Sequence, residues 1–157
     1  MKIPLIKPDL LKLEDVEVAF GEIMASGKVT NFGKYVMAFE EEASGYLGAQ
    51  VVTVSSGTMG LLLALQALGL EPGEKVILPS FTFMATAQAV LYAGGIPVFA
   101  EIEEDYTLSP ADLENLLAKH DDVAVVLPVH TYGLPCRVEE IQQIVGEHSR
   151  RRGRPIR

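Results

Sequence analysis

The first fifty residues carry two helical patterns of apolar side chains, each ended by a glycine. From Leu13 to Ser26, apolar residues recur at the three- and four-residue spacing of one helix face, and Gly27 follows. A second pattern runs from Lys34 to Leu47 and stops at Gly48. The spacing predicts a helical segment over residues 1–50. The predicted faces are Val16, Ala19, Phe20 and Ile23 on the first helix, and Val36, Phe39, Ala43 and Leu47 on the second.

Beyond residue 50, short apolar runs alternate with longer helical patterns. This alternation predicts an α/β fold over residues 51–149, a three-layer α/β/α arrangement with a mainly parallel sheet. The last run, residues 123–129, is the most apolar, which favours a central position in the sheet. The predicted strands are 51–54, 75–78 (stopped by Pro79), 96–100 and 123–129. The predicted helices run from Thr58 to a C-terminal Gly69, over 81–92, from the cap Ser109-Pro110 through Leu117, and over 138–148.

Composition and charge narrow the class of protein. Of 157 residues, 48% are hydrophobic and 22% charged, as in an ordinary globular domain, and the net charge of −8 argues against general nucleic-acid binding. No apolar run approaches the roughly 20 residues that span a bilayer, and the start Met1-Lys2-Ile3-Pro4 has no signal-peptide core. The single cysteine, Cys136, cannot form an internal disulfide, and no Cys/His spacing indicates a metal. These features predict a cytoplasmic protein.

The C-terminal residues 150–157 form a basic tail. Five of the 13 basic residues lie there. A nucleic-acid tail is one interpretation, but the run is short against an acidic body. We favour a solvated loop at a helix end, where cations suit the helix dipole. The five residues are Arg150, Arg151, Arg152, Arg154 and Arg157.

The small residues that precede the first β/α helix indicate an anion site. Ser55, Ser56 and Gly57 separate an apolar run from the helix that begins at Thr58. A helix start has unpaired backbone N–H groups and the positive end of the dipole, and a phosphate commonly binds there. An ordinary β/α turn explains the same residues. Neither G-x-G-x-x-G nor a Walker lysine is present, which disfavours dinucleotide and nucleoside-triphosphate sites.

Several polar or aromatic segments follow directly after predicted strands. They are expected to converge, because ligands of parallel sheets bind beyond the carboxyl ends of the strands. The segments are residues 56–58, residues 79–83, Glu101 and residues 130–132.

Taken together, these segments resemble the DegT/DnrJ/EryC1/StrS family of pyridoxal-phosphate-dependent sugar aminotransferases, which have fold type I. The upstream Ser26-Gly27, Gly33 and Phe39-Glu40 also fit this family, and the resemblance covers essentially the whole chain in order. The motifs are Ser55-Ser56-Gly57-Thr58, Pro79-Ser80-Phe81-Thr82-Phe83 with Ala85-Thr86-Ala87, Gly94-Gly95-Ile96-Pro97-Val98-Phe99, and Pro128-Val129-His130-Thr131-Tyr132-Gly133.

The resemblance implies roles for five residues. Gly57, Thr58 and Met59 match positions that hold the cofactor phosphate, and Phe83 matches the aromatic residue that stacks on the pyridine ring. Gln88 stands where the family usually has a small polar residue such as Asn; a cofactor contact and an ordinary helix amide are both open.

Three further residues are expected to be secondary. His130 lines the pocket or is structural, because the lysine of such enzymes is itself the proton shuttle. Tyr132 reaches the cofactor side, and Cys136 is structural.

The resemblance also implies what the sequence lacks. The family's Schiff-base lysine and pyridine-binding aspartate match no position here, so no catalytic residue is assigned. The chain is expected to be the N-terminal part of the large domain, cut inside it, without the small C-terminal domain. Alone it should bind pyridoxal 5′-phosphate weakly or not at all and show no transaminase activity. The lysines that match no Schiff-base motif are Lys2, Lys7, Lys12, Lys28, Lys34, Lys75 and Lys119.

The parent reaction implied by the resemblance transfers an amino group from a donor such as glutamate to a keto group on a nucleotide-linked sugar, in a homodimer. Two alternatives remain open. One is another fold type I enzyme, a lyase, dehydratase or desulfurase. The other is a noncatalytic remnant that binds a partner through an open sheet edge or the two N-terminal helices.

Overall fold

The computed structural model describes residues 7–157; Met1 to Pro4, where no signal-peptide core was expected, lie outside them. The chain divides into two compact units, Met1–Thr53 and Val54–Arg157. The boundary falls three residues beyond the predicted end of the helical segment. No helix in the described part of the chain is long and apolar enough to cross a membrane.

The first unit contains two helices, α1 (Leu13–Ser26) and α2 (Lys34–Leu47). Both have the predicted bounds. Gly27 (φ +64°) and Gly48 (φ +65°) end them in the left-handed conformation that glycine adopts without strain. Neither helix has a fully buried residue, so the predicted apolar faces are at most partly covered.

The predicted strand at residues 51–54 is wrong, since these residues form no strand and pair with none of the strands that the structure describes. Side chains of α2 bind the donors that a sheet ladder would need. Val51 N donates to Ser44 Oγ at 2.9 Å. Thr53 donates to Glu40 Oε1 from its backbone N at 2.8 Å and from Oγ1 at 2.7 Å. A β-branched run is therefore held here by side chains instead of by a sheet.

The second unit contains three parallel strands, β1 (Lys75–Pro79), β2 (Ile96–Ala100) and β3 (Val123–Val126), in the order β2-β1-β3. Ile77 of β1 is opposite Val98 of β2 and Val126 of β3. The prediction that the last strand is central is wrong, because β1 is central. The last strand is also shorter than predicted. High apolar content reports burial of both faces, which β3 has, and carries no information about strand order.

The C-terminal residues pack against β3. Arg157 N donates to Ala124 O at 2.9 Å, and Val126 N donates to Arg157 O at 2.8 Å. Ile156 is buried. The predicted solvated loop is therefore wrong for Ile156 and the backbone of Arg157, which join the core and hydrogen-bond to β3. It holds for the basic side chains, since Arg150, Arg151 and Arg152 lie in the last turn of a helix and Arg154 and Arg157 are exposed.

Five helical segments complete the second unit: α3 (Gly57–Ala67), α4 (Met84–Tyr92), α5 (Pro110–Lys119), a 3₁₀ turn (Thr131–Gly133) and α6 (Val138–Arg152). Ser109 and Pro110 start α5 as predicted. Helix α4 starts three residues later than predicted, because residue 83 is extended (ψ 140°). Helix α6 extends four residues further and ends at Arg152, whose guanidinium donates to the carbonyls of Leu117 and His120.

Successive residues of the central strand point to opposite layers. Val76 packs with Leu65, Ala89 and Val90 of α3 and α4. Ile77 packs on the other face, with side chains of α5, α6 and the neighbouring strands. This alternation confirms the three-layer α/β/α arrangement. On the second face the contributing side chains include Leu113, Leu117, Val126 and Ile141.

Candidate functional site

Two clefts lie where connections leave the sheet, and Phe83 borders both. The first, here called the α3 cleft, has a volume of about 460 Å³. The second, here called the aromatic cleft, has a volume of about 350 Å³. The α3 cleft is lined by Gly57, Thr58, Leu61, Phe83, Ala85 and Thr86. The aromatic cleft is lined chiefly by Phe81, Thr82, Phe83, His130, Thr131 and Tyr132. The predicted convergence thus occurs in part: Phe83 lines one cleft with residues 57–58 and the other with residues 130–132, whereas Glu101 lines neither.

The start of α3 presents free backbone donors to the α3 cleft. Ser56 is the N-cap, and its Oγ accepts from Met59 N at 3.2 Å. The first backbone bond of the helix runs from Gly60 N to Ser56 O at 3.0 Å. The amides of Gly57 and Thr58 therefore have no acceptor inside the helix. No acidic residue lies in the first turn, and the space next to Gly57 is open. This donor set is suited to an anion.

Phe83 presents its ring to solvent at the start of α4. The residue is the N-cap of α4 and its side chain is 81% exposed. The preceding turn is fixed by a hydroxyl pair, since Thr82 Oγ1 and Thr86 Oγ1 lie 2.8 Å apart. An exposed ring beside an anion-binding helix start can cover one face of a flat ligand that carries a phosphate.

Two of the five predicted site residues have other partners. The backbone N–H of Met59 is bound by Ser56 Oγ, so it is not one of the free donors. Gln88 lies one turn into α4, where its Nε2 donates to Met84 Sδ at 3.5 Å. Neither residue lines either cleft. Gly57, Thr58 and Phe83 come together, and a role for the other two stays a prediction.

The loop after β3 is held by its own polar groups. His130 Nδ1 accepts from Cys136 N at 3.1 Å, which leaves the proton of the neutral ring on Nε2. Thr131 is buried and its Oγ1 donates to Tyr106 O at 3.0 Å. His130 is therefore both a support of the loop and a residue of the cleft wall. Cys136 is buried, and this burial raises the pKa of its thiol, as expected for a structural cysteine.

An aromatic cluster that the sequence did not indicate lies against the aromatic cleft. The ring of Phe81 is 5.0 Å from that of Tyr106 and 6.3 Å from that of Tyr132, centroid to centroid. Tyr106 (φ +65°) and Tyr132 (φ +55°) both have left-handed backbones. Tyr106 lies in a turn 25 residues from its partner loop. No local pattern could have linked the two.

A smaller cavity of about 210 Å³ lies in the first unit, between the end of α1 and the start of α2. Glu22 Oε2 accepts from Lys34 Nζ at 2.7 Å and from Tyr35 OH at 2.8 Å. These hydrogen bonds lower the pKa of the Glu22 carboxyl. All three side chains thus have partners within the unit. In the described part of the chain no cluster of three His, Cys, Asp or Glu side chains could hold a metal.

Residues 12–150 match the profile of the DegT/DnrJ/EryC1/StrS aminotransferase family. A 3-oxo-glucose-6-phosphate:glutamate aminotransferase of Bacillus subtilis (strain 168) is 35% identical over 153 residues, which are 94% of this chain and 34% of the relative. A GDP-perosamine synthase of Vibrio cholerae is 36% identical over 148 residues, 93% of this chain and 39% of the relative. The chain thus spans little more than a third of the length of these relatives.

Solved structures agree with the sequence comparison. NtdA from Bacillus subtilis with bound cofactor PMP superposes with a TM-score of 0.82 at 36% identity, over 87% of this chain and 31% of that one. The PLP form of the putative sugar aminotransferase Spr1654 from Streptococcus pneumoniae gives a TM-score of 0.81 at 28% identity, over 94% and 37%. The fold of the described chain is therefore the fold of the corresponding part of these structures.

Proposed function

The chain belongs to the DegT/DnrJ/EryC1/StrS aminotransferase family, and on that premise we propose that it is the N-terminal part of the cofactor-binding large domain of a pyridoxal-phosphate-dependent aminotransferase. One observation carries the proposal: the free amides of Gly57 and Thr58 and the exposed ring of Phe83 border one cleft. A phosphate donor set next to a ring-covering side chain matches the two ends of a pyridoxal phosphate molecule.

The residues of the α3 cleft fit this cofactor. Gly57 and Thr58 would hold the phosphate through backbone N–H groups and the Thr58 hydroxyl, without a nearby carboxylate to repel it. Phe83 would cover one face of the pyridine ring. When bound, pyridoxal phosphate supplies the electron sink that amino transfer needs. What this chain contributes is binding, orientation and exclusion of water from that face.

The names of the relatives support a sugar as the amino acceptor. One acts on 3-oxo-glucose 6-phosphate with glutamate, and another is a GDP-perosamine synthase. We propose a keto-hexose linked to a phosphate or nucleotide as the acceptor and an amino acid such as glutamate as the donor. We also propose that the functional form is a cytoplasmic homodimer. The many exposed apolar side chains on α1 and α2, such as Phe20, Met24 and Phe39, support such an association.

The chain by itself is proposed to be inactive as a transaminase. In the second unit the lysines are Lys75 and Lys119, and neither lines a cleft. Lys75 is the first residue of β1, at the end opposite the clefts, where its Nζ lies 2.9 Å from Asp122 Oδ2. Neither side chain is placed to form a covalent bond with a cofactor in the α3 cleft.

Titration of the chain with pyridoxamine 5′-phosphate, followed by amide NMR, tests the cofactor proposal. This ligand has no aldehyde, so surface lysines cannot react with it. We expect the amide signals of Gly57 and Thr58 to shift at millimolar ligand, and pyridoxamine without its phosphate to leave them unchanged. Phe83→Ala should weaken binding about 3- to 10-fold through loss of the ring contact. Tyr92→Ala, an exposed aromatic at the far end of α4, is the matched control.

The proposal fails if pyridoxamine 5′-phosphate shifts signals elsewhere but not at the start of α3, or if Phe83→Ala and Tyr92→Ala bind this ligand with the same affinity.

The predicted inactivity of the chain is tested separately. Borohydride treatment of the chain with pyridoxal phosphate should give no lysine that is stoichiometrically labelled, and stoichiometric labelling at one lysine would contradict it.

A further inference from the structure

A small polar cavity, here called the charged cavity, lies at the end of the sheet where the parallel strands begin. Its volume is about 200 Å³. Glu74 directly precedes β1, whereas Phe83, which borders both clefts, follows the end of β1. The five residues of β1, about 16 Å of strand, therefore separate the charged cavity from the clefts. The cavity is lined chiefly by Gly69, Glu71, Glu74, Ala124, Arg154 and Arg157.

Two guanidinium groups supply the basic side chains of the charged cavity. Arg154 Nη2 donates to Asp121 O at 2.6 Å, while its Nη1 lies 3.8 Å from Glu74 Oε1, beyond hydrogen-bond distance. Arg157 Nη1 donates to Gly69 O at the long distance of 3.4 Å. A guanidinium has five N–H donors in a planar fork that matches a carboxylate. Most of these donors thus remain available to a ligand with a carboxylate.

Two carboxylates supply the acidic side chains of the charged cavity. Glu74 Oε2 accepts from Glu71 N at 3.0 Å, which closes the turn before β1. The other oxygen of Glu74 has only the loose contact with Arg154. Within residues 7–157, no side chain or backbone donor binds the Glu71 carboxylate. Because carboxylates only accept hydrogen bonds, these oxygens suit a ligand with an ammonium group.

The balance of charge selects the class of ligand. The lining has two positive and two negative side chains, so a phosphate would meet two carboxylates and a simple cation would meet two guanidiniums. A zwitterion satisfies both signs at once. The volume of about 200 Å³ is below the roughly 300 Å³ at which sites for drug-sized ligands begin, so the ligand must be small. An α-amino acid with a short side chain meets both conditions.

We propose that the charged cavity binds a free α-amino acid, with its carboxylate held by Arg154 and Arg157 and its ammonium group held by Glu71 and Glu74. The ligand would connect the end of α3, the turn before β1 and the C-terminal segment. Because it binds only the folded chain, it would stabilise the second unit in proportion to its concentration. The inference does not rest on the proposed function, since none of these residues lines the α3 cleft.

Titration of the chain with L-alanine, followed by amide NMR, tests the site. Each of two matched probes lacks one charge: sodium propionate has no ammonium group, and ethylammonium chloride has no carboxylate. We expect L-alanine at millimolar concentration to shift the amide signals of Gly69, Glu74 and Ala124. Neither probe should do so at the same concentration, once sodium chloride has been used to correct for ionic strength.

Substitutions of exposed charged residues test the two ends of the ligand. Arg157→Gln should weaken L-alanine binding about 5- to 10-fold, because it removes a charge-assisted hydrogen bond to the carboxylate. Glu71→Gln should also weaken it, because it removes a negative charge next to the ammonium group. Arg150→Gln is the matched control, since this exposed arginine of α6 does not line the cavity. Unchanged amide signals of β1 and β3 without ligand verify that each variant is folded.

Each contrary result overturns a definite part of the proposal. If L-alanine shifts none of the three signals at tens of millimolar, the site is refuted and the four charged side chains serve only the structure. Equal shifts with sodium propionate overturn the assignment to an amino acid, since a carboxylate alone would then suffice. Equal affinities of Arg157→Gln and Arg150→Gln for L-alanine refute the placement of the carboxylate.

Discussion

At the scale of single residues, side-chain acceptors on α2 decide the path of residues 51–53. Glu40 accepts two hydrogen bonds from Thr53, and Ser44 accepts one from Val51. Both hydrogen bonds from Thr53, first the one from its hydroxyl and then the one from its backbone, lower the pKa of the Glu40 carboxyl. The carboxylate of Glu40 thus stabilises residues 51–53 outside a sheet, although the β-branched side chains of this segment favour a strand.

Thr53→Val should raise the pKa of Glu40, because it removes the stronger of the two donors and keeps the shape of the side chain. A side-chain carboxyl NMR titration of both proteins measures it. Because the folded-state pKa lies below the unfolded value, the contribution of this pair is present above the unfolded pKa and is lost as the pH falls through the folded pKa. Equal titration midpoints in the two proteins would show that the Oγ1 hydrogen bond does not form in solution.

At the scale of elements, Gly95 lets the end of α4 pass closely into β2. A Cβ at this position would lie 2.9 Å from Leu70 Cδ2, 3.1 Å from Val90 Cγ1 and 3.3 Å from Glu74 O. The neighbouring backbone oxygen cannot move without disturbing β1 and β2, since Ile96 N donates to it. Residue 95 therefore needs glycine for space, not for its backbone angle.

Gly95→Ala should lower the free energy of unfolding by about 1–3 kcal/mol through overpacking. Gly146→Ala is the matched control, because an added Cβ within α6 meets no atom within 4 Å. A helix-interior alanine there should raise the stability by about 0.5–1 kcal/mol. Urea unfolding of the two variants measures both. A Gly95→Ala protein as stable as the parent would contradict the close packing.

At the scale of the whole second unit, one histidine of α6 is buried. His148 has an unpartnered Nε2. Burial first, and then the positive charges of Arg151 and Arg152, lower its pKa; Glu114 of α5 and Glu147 oppose this weakly. The neutral ring is the form that the packed helices accept.

The stability of the chain should therefore fall on acidification in a way that depends on His148. The folded-state pKa is below the unfolded value of about 6.5, so stability is complete above that value and is lost as the pH falls from there through the folded pKa. Each pKa unit by which folding lowers the pKa of His148 corresponds to a loss of about 1.4 kcal/mol in the free energy of unfolding once the pH is below the folded pKa. His148→Gln should reduce the difference between the unfolding free energies measured at pH 7 and at pH 5. Parallel pH curves for the two proteins would exclude the effect.

The local patterns of the chain predicted its helices and the three strands of its sheet, and they gave the bounds of some of these elements. The bounds of α1 and α2, the Ser109-Pro110 start of α5 and the strand Ile96–Ala100 agree with the sequence. Helical spacing, stop glycines and caps act within a few residues, so they are readable without the fold. The same holds for the residue motifs, which assigned the family that the comparison then established.

Only the tertiary structure decided the features that depend on distant partners. The order of the strands, the burial of Ile156 and the capture of residues 51–53 by α2 each need a second segment whose position no local pattern reports. The aromatic cluster needs three loops at once, because Phe81 contacts the ring of Tyr106 and Thr131 donates to the carbonyl of Tyr106. The sequence thus determined which elements form, and the packing of those elements determined which side chains meet.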